Sequence, residues 1–154
     1  MSREQVAMDL LALLRRCERA IEDYAIDLGI RYDFGEESSF HPHLDLTGGT
    51  AACRRADLRG SITMPVAGEV AVDNDIVLRV GLEFTRTGCS IDSAIEAHLN
   101  TPMGERQPGS YILYQRSDRG LSFSDLAQTV EEHFAMLRGA PDFPDSLGIP
   151  RTDR

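Results

Sequence analysis

The residue types that could do chemistry are concentrated in the stretch 40–49, "FHPHLDLTGG". His41 and His43 lie two residues apart, and Asp45 follows two residues later. On an extended chain these three side chains point to one face, because side chains alternate along a strand. Two imidazoles and a carboxylate suit zinc or non-haem iron. The pattern predicts an edge strand whose polar face either ligates a metal ion through His41, His43 and Asp45 or meets water or a partner.

The same string resembles the H-x-H-x-D-H segment of the metallo-β-lactamase fold at His41, His43 and Asp45. Leu46 stands where that segment has its last histidine, and the domain of that family is longer than this chain of 154 residues. We therefore do not assign the family. A generic metal site stays as a hypothesis beside the interpretation that Leu44 and Leu46 enter the core while the histidines face solvent.

Other catalytic machinery is missing from the sequence. All 16 basic residues apart from histidine are arginines, so Schiff-base, phosphate-loop and general-base lysines are excluded. The nucleophile motif G-x-S-x-G is absent. Cys17, Cys53 and Cys89 form no C-x-x-C motif, which indicates reduced thiols of a cytoplasmic protein. Cys53 precedes two arginines, so it is either a structural residue or a thiol with a lowered pKa.

Composition limits the class of partner. The chain is 42% hydrophobic and 27% charged, as in ordinary soluble domains, and its formal net charge is −9. That charge argues against nucleic acid and against anionic membranes, and it favours a protein partner with a basic surface. No signal peptide or transmembrane run is evident, so we expect a bacterial, cytoplasmic protein without a cofactor, the metal alternative aside.

The first 28 residues predict one long helix, from residue 3 to about residue 28. Its apolar residues recur every three or four positions, at Val6, Leu10, Leu13, Cys17, Ile21, Tyr24 and Leu28. Leu11 and Leu14 widen this stripe, so the helix packs on a sheet or on a second copy of the chain in a homodimer. Gly29 is expected to end it.

A second helix is predicted over 123–138. Ser122 or Ser124 caps it, Gly139 ends it, and His133 lies on the rim of its buried face as a half-buried residue. The tail 140–154 contains three prolines and predicts an extended or disordered segment. Residues 1–139 are therefore expected to form a single domain.

Strands are predicted between the two helices. The segment 55–64 alternates between apolar and polar residues, as half-buried antiparallel strands do. The segments 69–72 and 76–84 flank Asp-Asn-Asp at 73–75, which predicts a hairpin turn. The long period-two stripe of 76–84 predicts a central strand.

One segment fits two structures. Residues 90–99 match a helical stripe and also alternate, and we favour a strand that pairs with 110–115. The stretch 100–109, with two prolines and two glycines, predicts a loop.

These elements predict an α+β fold, with an antiparallel β-sheet meander of about five to six strands and an N-terminal and a C-terminal helix packed on one face. The favoured function is a non-catalytic acidic binding protein, such as an immunity protein, an inhibitor or a chaperone-like adaptor. It would dock a protein through the exposed sheet face, with Arg55, Arg59, Arg79 and Glu83 at the interface. One alternative is a small metal-dependent enzyme or metal-binding domain that uses His41, His43 and Asp45. The other is a small-molecule-binding domain with a pocket between sheet and helices.

Overall fold

A computed structural model describes residues 3–66, 72–139 and 143–152. The elements are α1 (Arg3–Arg31), β1 (Ser39–Gly49), β2 (Arg54–Pro65), β3 (Asp73–Phe84), β4 (Cys89–Leu99), β5 (Gly109–Leu121), α2 (Phe123–Arg138) and α3 (Phe143–Ser146). The strands form one antiparallel sheet in the order β1-β2-β3-β4-β5, so the predicted α+β class is confirmed. Over these ranges no helix has the length and apolar character needed to cross a membrane.

The helices cover one face of the sheet. α1 packs on β1 and β2, and α2 packs on β4 and β5. The core between the two layers includes Leu78, Ile95 and Leu126, each with no exposed surface. No described element covers the opposite face, so the polar residues of the strands are displayed there. We call this surface the open face.

The end of α1 differs from the prediction. Gly29 does not stop the helix, which continues to Arg31, and the Tyr32 amide donates to the Leu28 carbonyl over 2.8 Å. The last turn of a helix leaves carbonyl groups without helical partners. Here Thr152 is the partner of one such carbonyl, because its amide donates to the Arg31 carbonyl over 2.9 Å. The helix therefore ends where the C-terminal segment binds it.

The widened apolar stripe of α1 is largely absorbed by the domain itself. The predicted core positions Leu13, Cys17, Ile21, Tyr24 and Leu28 are buried. Leu14 is also buried, whereas Leu11 is 54% exposed. The side chain of Val6 lies outside the described part of the chain.

β2 follows the predicted alternation. β3 is the central strand, and its predicted stripe is buried at Ile76, Leu78, Val80 and Leu82, although Val77 on the other face is buried as well. The hairpin turn predicted at 73–75 is wrong, because these residues begin β3 and pair with residues 63–65 of β2. Asn74 explains the difference. It is 4% exposed, and its Oδ1 accepts the amides of Asn100 and Thr101 over 2.8 and 3.1 Å. Of the predicted strand 69–72, residues 69–71 lie outside the described ranges.

The ambiguous segment 90–99 is strand β4, as favoured. It pairs with β3 on one side and β5 on the other. Residues 100–108 form the loop before β5, which begins at Gly109, and a short bridge between Met103 and Arg106 closes the loop.

The C-terminal segment 143–152 is folded rather than extended or disordered. Phe143, Leu147 and Ile149 belong to the core, each at most 6% exposed. The Arg151 guanidinium lies 5.4 Å from the centroid of the Tyr32 ring. The burial of Phe143, Leu147 and Ile149 outweighs the tendency of the prolines to keep the segment extended. The tail residues 140–142 and 153–154 lie outside the described part.

Candidate binding face and a buried histidine network

The strand register places the polar residues of the open face in rows across the sheet. One row runs His43, Arg59, Arg79, Ala94 and Gln115. The next runs Asp45, Asp57, Gly81, Asp92 and Ser117. In the row after that, Arg55 lies opposite Glu83. A positive row thus lies beside an acidic row.

The four residues predicted at an interface all lie on this face. Arg55 and Glu83 contact each other through Nη1 and Oε1 at 2.7 Å. The Arg79 Nη1 donates to Glu96 Oε1 over 2.8 Å. Within the ranges that the structure describes, Arg59 has neither a hydrogen bond nor an ion pair. The sequence placed these side chains on one face, but it did not distinguish the paired arginines from Arg59.

Arg55 is the centre of a compact ion cluster. Its Nε donates to both Asp57 oxygens at 2.9 Å, and its Nη2 reaches Asp92 Oδ1 at 3.2 Å. With Glu83 these residues form what we call the Arg55 cluster. Partial burial disfavours the charged guanidinium, but the surrounding carboxylates outweigh this effect and raise its pKa. The cluster is therefore internally paired and held in one geometry.

Gly81 makes the cluster sterically feasible. It lies between Asp57 and Asp92 in the row, and a Cβ there would collide with the Arg55 Nη2 and lie 2.8 Å from Asp92 Oδ1. The missing side chain lets the guanidinium lie across β3 and reach the carboxylate on β4.

The metal hypothesis depends on His41, His43 and Asp45. All three lie on β1 opposite the polar residues of β2, as the alternation predicted. Leu44 packs against the core, but the prediction that Leu46 also enters it is wrong: Leu46 is 54% exposed and lies where the register of β1 shifts, between Asp45 and Gly48. Positions two and four residues apart on a strand are spread along it, so Asp45 lies about 13 Å from His41 along the strand. The His41 Nε2 pairs with Ser39 Oγ at 2.8 Å. Over the described residues, no group of three or more His, Cys, Asp or Glu side chains is placed to hold a metal ion.

The cysteines are free thiols. Loss of solvent around Cys53 and the negative charge of Glu83 raise the pKa of its thiol, so the alternative of a lowered pKa is wrong. Its Sγ lies 3.7 Å from the Glu83 Oε2, which explains why the neighbouring arginines do not dominate. Burial raises the pKa of Cys17 to about 12. None of these shifts activates a thiol at neutral pH.

His133 joins α2 to the sheet. α2 begins after the N-cap Ser122 and ends before Gly139, as predicted, but His133 is fully buried rather than half-buried on a rim. Its Nδ1 accepts the hydroxyl of Ser93 on β4 over 2.7 Å, and its Nε2 donates to Asp118 Oδ2 on β5 over 2.7 Å. A polar residue at position 93, within the apolar face of β4, is the signal by which the sequence could have revealed a partner.

Serine, histidine and aspartate are also the residue types of a hydrolase triad. Here both Ser93 and His133 have no exposed surface, so a substrate carbonyl has no route to the hydroxyl. Burial lowers the pKa of His133, and this effect is larger than the opposing effect of Asp118. The lowered pKa favours the neutral imidazole. Arg116 Nε supports Asp118 from 3.1 Å. The arrangement is a buried hydrogen-bond network that fixes α2 on β4 and β5.

A cleft of about 190 Å³ lies between α1 and the first two strands. It is lined by residues including Glu18, Ile21, Leu44 and Leu58. Ligand pockets generally measure about 300 Å³ or more. The cleft therefore gives little support to the hypothesis of a small-molecule pocket between sheet and helices.

The paired and unpaired arginines are expected to differ in stability. Arg55→Gln removes the cation from three carboxylates and should lower the free energy of unfolding by about 1–2 kcal/mol. Arg59→Gln removes a charge that faces Arg79 and should change the free energy of unfolding by less than about 0.5 kcal/mol. Urea unfolding of both variants at low salt measures the difference. Equal losses would show that the Arg55 cluster contributes nothing special.

Fold and face together define an α+β domain with helices on one side of a meander and a charged, uncovered sheet on the other. A scan against models of known protein families finds no match, and searches of curated proteins and of solved structures find none either.

Proposed function

We propose that the protein is a non-catalytic binding protein that docks a protein partner with a basic surface through the open face. Its role would be that of an immunity protein, an inhibitor or a chaperone-like adaptor. The observation that supports this most directly is the charge of the face, on which carboxylates outnumber arginines. The carboxylates are Asp45, Asp57, Asp73, Asp75, Glu83, Asp92 and Glu96, and the arginines are Arg55, Arg59, Arg79 and Arg119.

The rigidity of the face also supports docking. Its side chains project from five hydrogen-bonded strands, and the Arg55 cluster holds several of them in one conformation. A partner that binds such a surface loses less side-chain entropy than one that must order flexible groups. The net charge of −9 adds long-range attraction towards a basic surface and raises the rate of encounter.

Compartment and self-association are part of the proposal. Free thiols fit a reducing cytosol, where we expect the protein to act. Met8 and Leu11 are 65% and 54% exposed near the start of α1, which is the surface that a homodimer would use. Light scattering coupled to size-exclusion chromatography measures the oligomeric state separately from docking.

Selection of displayed peptides tests the docking. A library of random peptides is selected against the full chain, and the binders are then measured by fluorescence anisotropy. We expect net positive peptides that bind Asp75→Arg about tenfold more weakly and that weaken as salt rises. Asp75 lies on β3 opposite Thr63, on the open face.

The matched control is Asp23→Arg, which makes the same charge reversal on the exposed side of α1. It should bind the selected peptides within about twofold of the wild type, since the remaining long-range change in charge is screened. Selection of no binders, or of binders that respond equally to both reversals, contradicts docking through the open face.

A further inference from the structure

We infer that Arg59 receives a carboxylate side chain of the partner, an Asp or Glu that stands among the partner's basic residues. This inference rests on the proposed docking through the open face and names the contact that would set its register.

The register of the sheet places no carboxylate directly opposite Arg59. Arg59 lies directly opposite Arg79 on β3 and directly opposite His43 on β1. Like charges directly opposite each other in a sheet are destabilising. Arg79 is compensated by Glu96, whose Oε1 lies 2.8 Å from its Nη1. Across the described strands, Arg59 has no such carboxylate.

The nearest acidic row is already engaged. Asp57, two residues before Arg59 on the same face of β2, has both oxygens 2.9 Å from the Nε of Arg55. Turning Asp57 towards Arg59 would take a carboxylate from the Arg55 cluster. The two arginines of β2 that lie on the open face are therefore in different states, with Arg55 paired internally and Arg59 open to an external anion.

The surroundings of Arg59 select the kind of anion. A shallow groove of about 570 Å³ lies beside it, floored by Ser61 and Val77 and bounded by Asp75 and Glu96 on its other side. A guanidinium matches a carboxylate through two parallel hydrogen bonds. Glu96 is engaged by Arg79 and His98, so Asp75 is the carboxylate of this boundary that pairs with a basic residue of the partner and repels a polyanion. A single carboxylate flanked by basic residues satisfies both sides of the groove.

A double-mutant cycle tests the contact with the peptides selected above. Each is expected to contain an Asp or Glu whose replacement by the amide weakens binding to the wild type about tenfold. When the protein is the Arg59→Gln variant, the same acid-to-amide replacement in the peptide should change the affinity less than twofold, because the arginine that binds the carboxylate is gone. Arg119→Gln is the matched control. It makes the same change on the same face at β5, beside Glu83 and Ser117, and it should keep the full tenfold effect.

The outcomes separate this inference from the docking itself. Selected basic peptides that lack a carboxylate, or an amide effect of equal size on wild type and Arg59→Gln, overturn the inference and leave the docking in place. Tighter binding when phosphoserine replaces the acidic residue assigns the pair to phosphate and also overturns it. Failure to select any peptide that responds to Asp75→Arg overturns both. Thermal unfolding of Arg59→Gln, expected at the wild-type temperature, shows that lost binding is not lost folding.

Discussion

Replacing His133 by alanine is expected to lower the free energy of unfolding by about 3 kcal/mol. The imidazole is fully buried between α2 and the sheet, so its removal leaves a cavity. It also removes the acceptor of the Ser93 hydroxyl and the donor to Asp118, each now at 2.7 Å. Ser93 is itself fully buried and would stay without this partner, which adds a desolvation cost. Urea unfolding followed by circular dichroism measures the loss.

His98→Ala is the matched control. His98 lies on the open face at the end of β4, where it contacts Ser110 Oγ at 3.0 Å and Glu96 Oε2 at 3.2 Å. Because its side chain is 43% exposed, its loss should change the free energy of unfolding by less than about 0.5 kcal/mol. Similar effects of the two substitutions would refute the structural role of the buried network.

The same substitution has a pH signature. Burial lowers the pKa of folded His133 below the value of about 6.5 for an unfolded histidine, so the unfolded chain binds the proton first. The stability that this residue contributes is present above pH ~6.5 and is lost as the pH falls below it. The groups that face the imidazole are Ser93, Asp118 and, through Asp118, Arg116. The wild type should therefore lose more stability than His133→Ala between pH 7.5 and pH 5.

The second large effect is expected at Gly60, on the helix-facing side of β2. A Cβ there would lie 2.5 Å from Cε2 of Phe40 and 2.7 Å from Cγ2 of Ile21, both closer than real contacts. Phe40 belongs to β1 and Ile21 to α1, so a methyl group would separate the helix from two strands. Gly60→Ala should lower the free energy of unfolding by about 2–3 kcal/mol, the range of overpacked cores. Denaturant unfolding again measures it.

Gly29→Ala is the matched control for that change. A Cβ at Gly29 would meet nothing within 4 Å, and the residue is helical. Alanine favours helix over glycine by up to about 1 kcal/mol, so this variant should be slightly more stable than the wild type. If Gly60→Ala is as stable as Gly29→Ala, then α1 does not rest on the sheet through this glycine.

Local patterns determined the elements where the period was clear. The alternation of 55–64 determined which side of β2 is buried, because a strand has only two faces. Ser122 and Gly139 determined the ends of α2, because caps act on the adjacent backbone. The predictions failed where contacts with residues distant in the sequence determine the local structure. Thr152 holds the last turn of α1 beyond Gly29, and the 100–101 backbone binds Asn74 in what looked like a turn.

For the candidate site, too, the sequence determined some features and the tertiary structure determined the others. The sequence by itself determined that Arg55, Arg59, Arg79 and Glu83 share the polar face of neighbouring strands, since that follows from alternation alone. Only the tertiary structure decided which of them are neutralised. Strand register places Glu83 opposite Arg55 and a like charge opposite Arg59, and register depends on pairing between segments far apart in the chain. Likewise, the alternation of 90–99 puts Ser93 on the buried face of β4, but only the packing of α2 brought His133 to it.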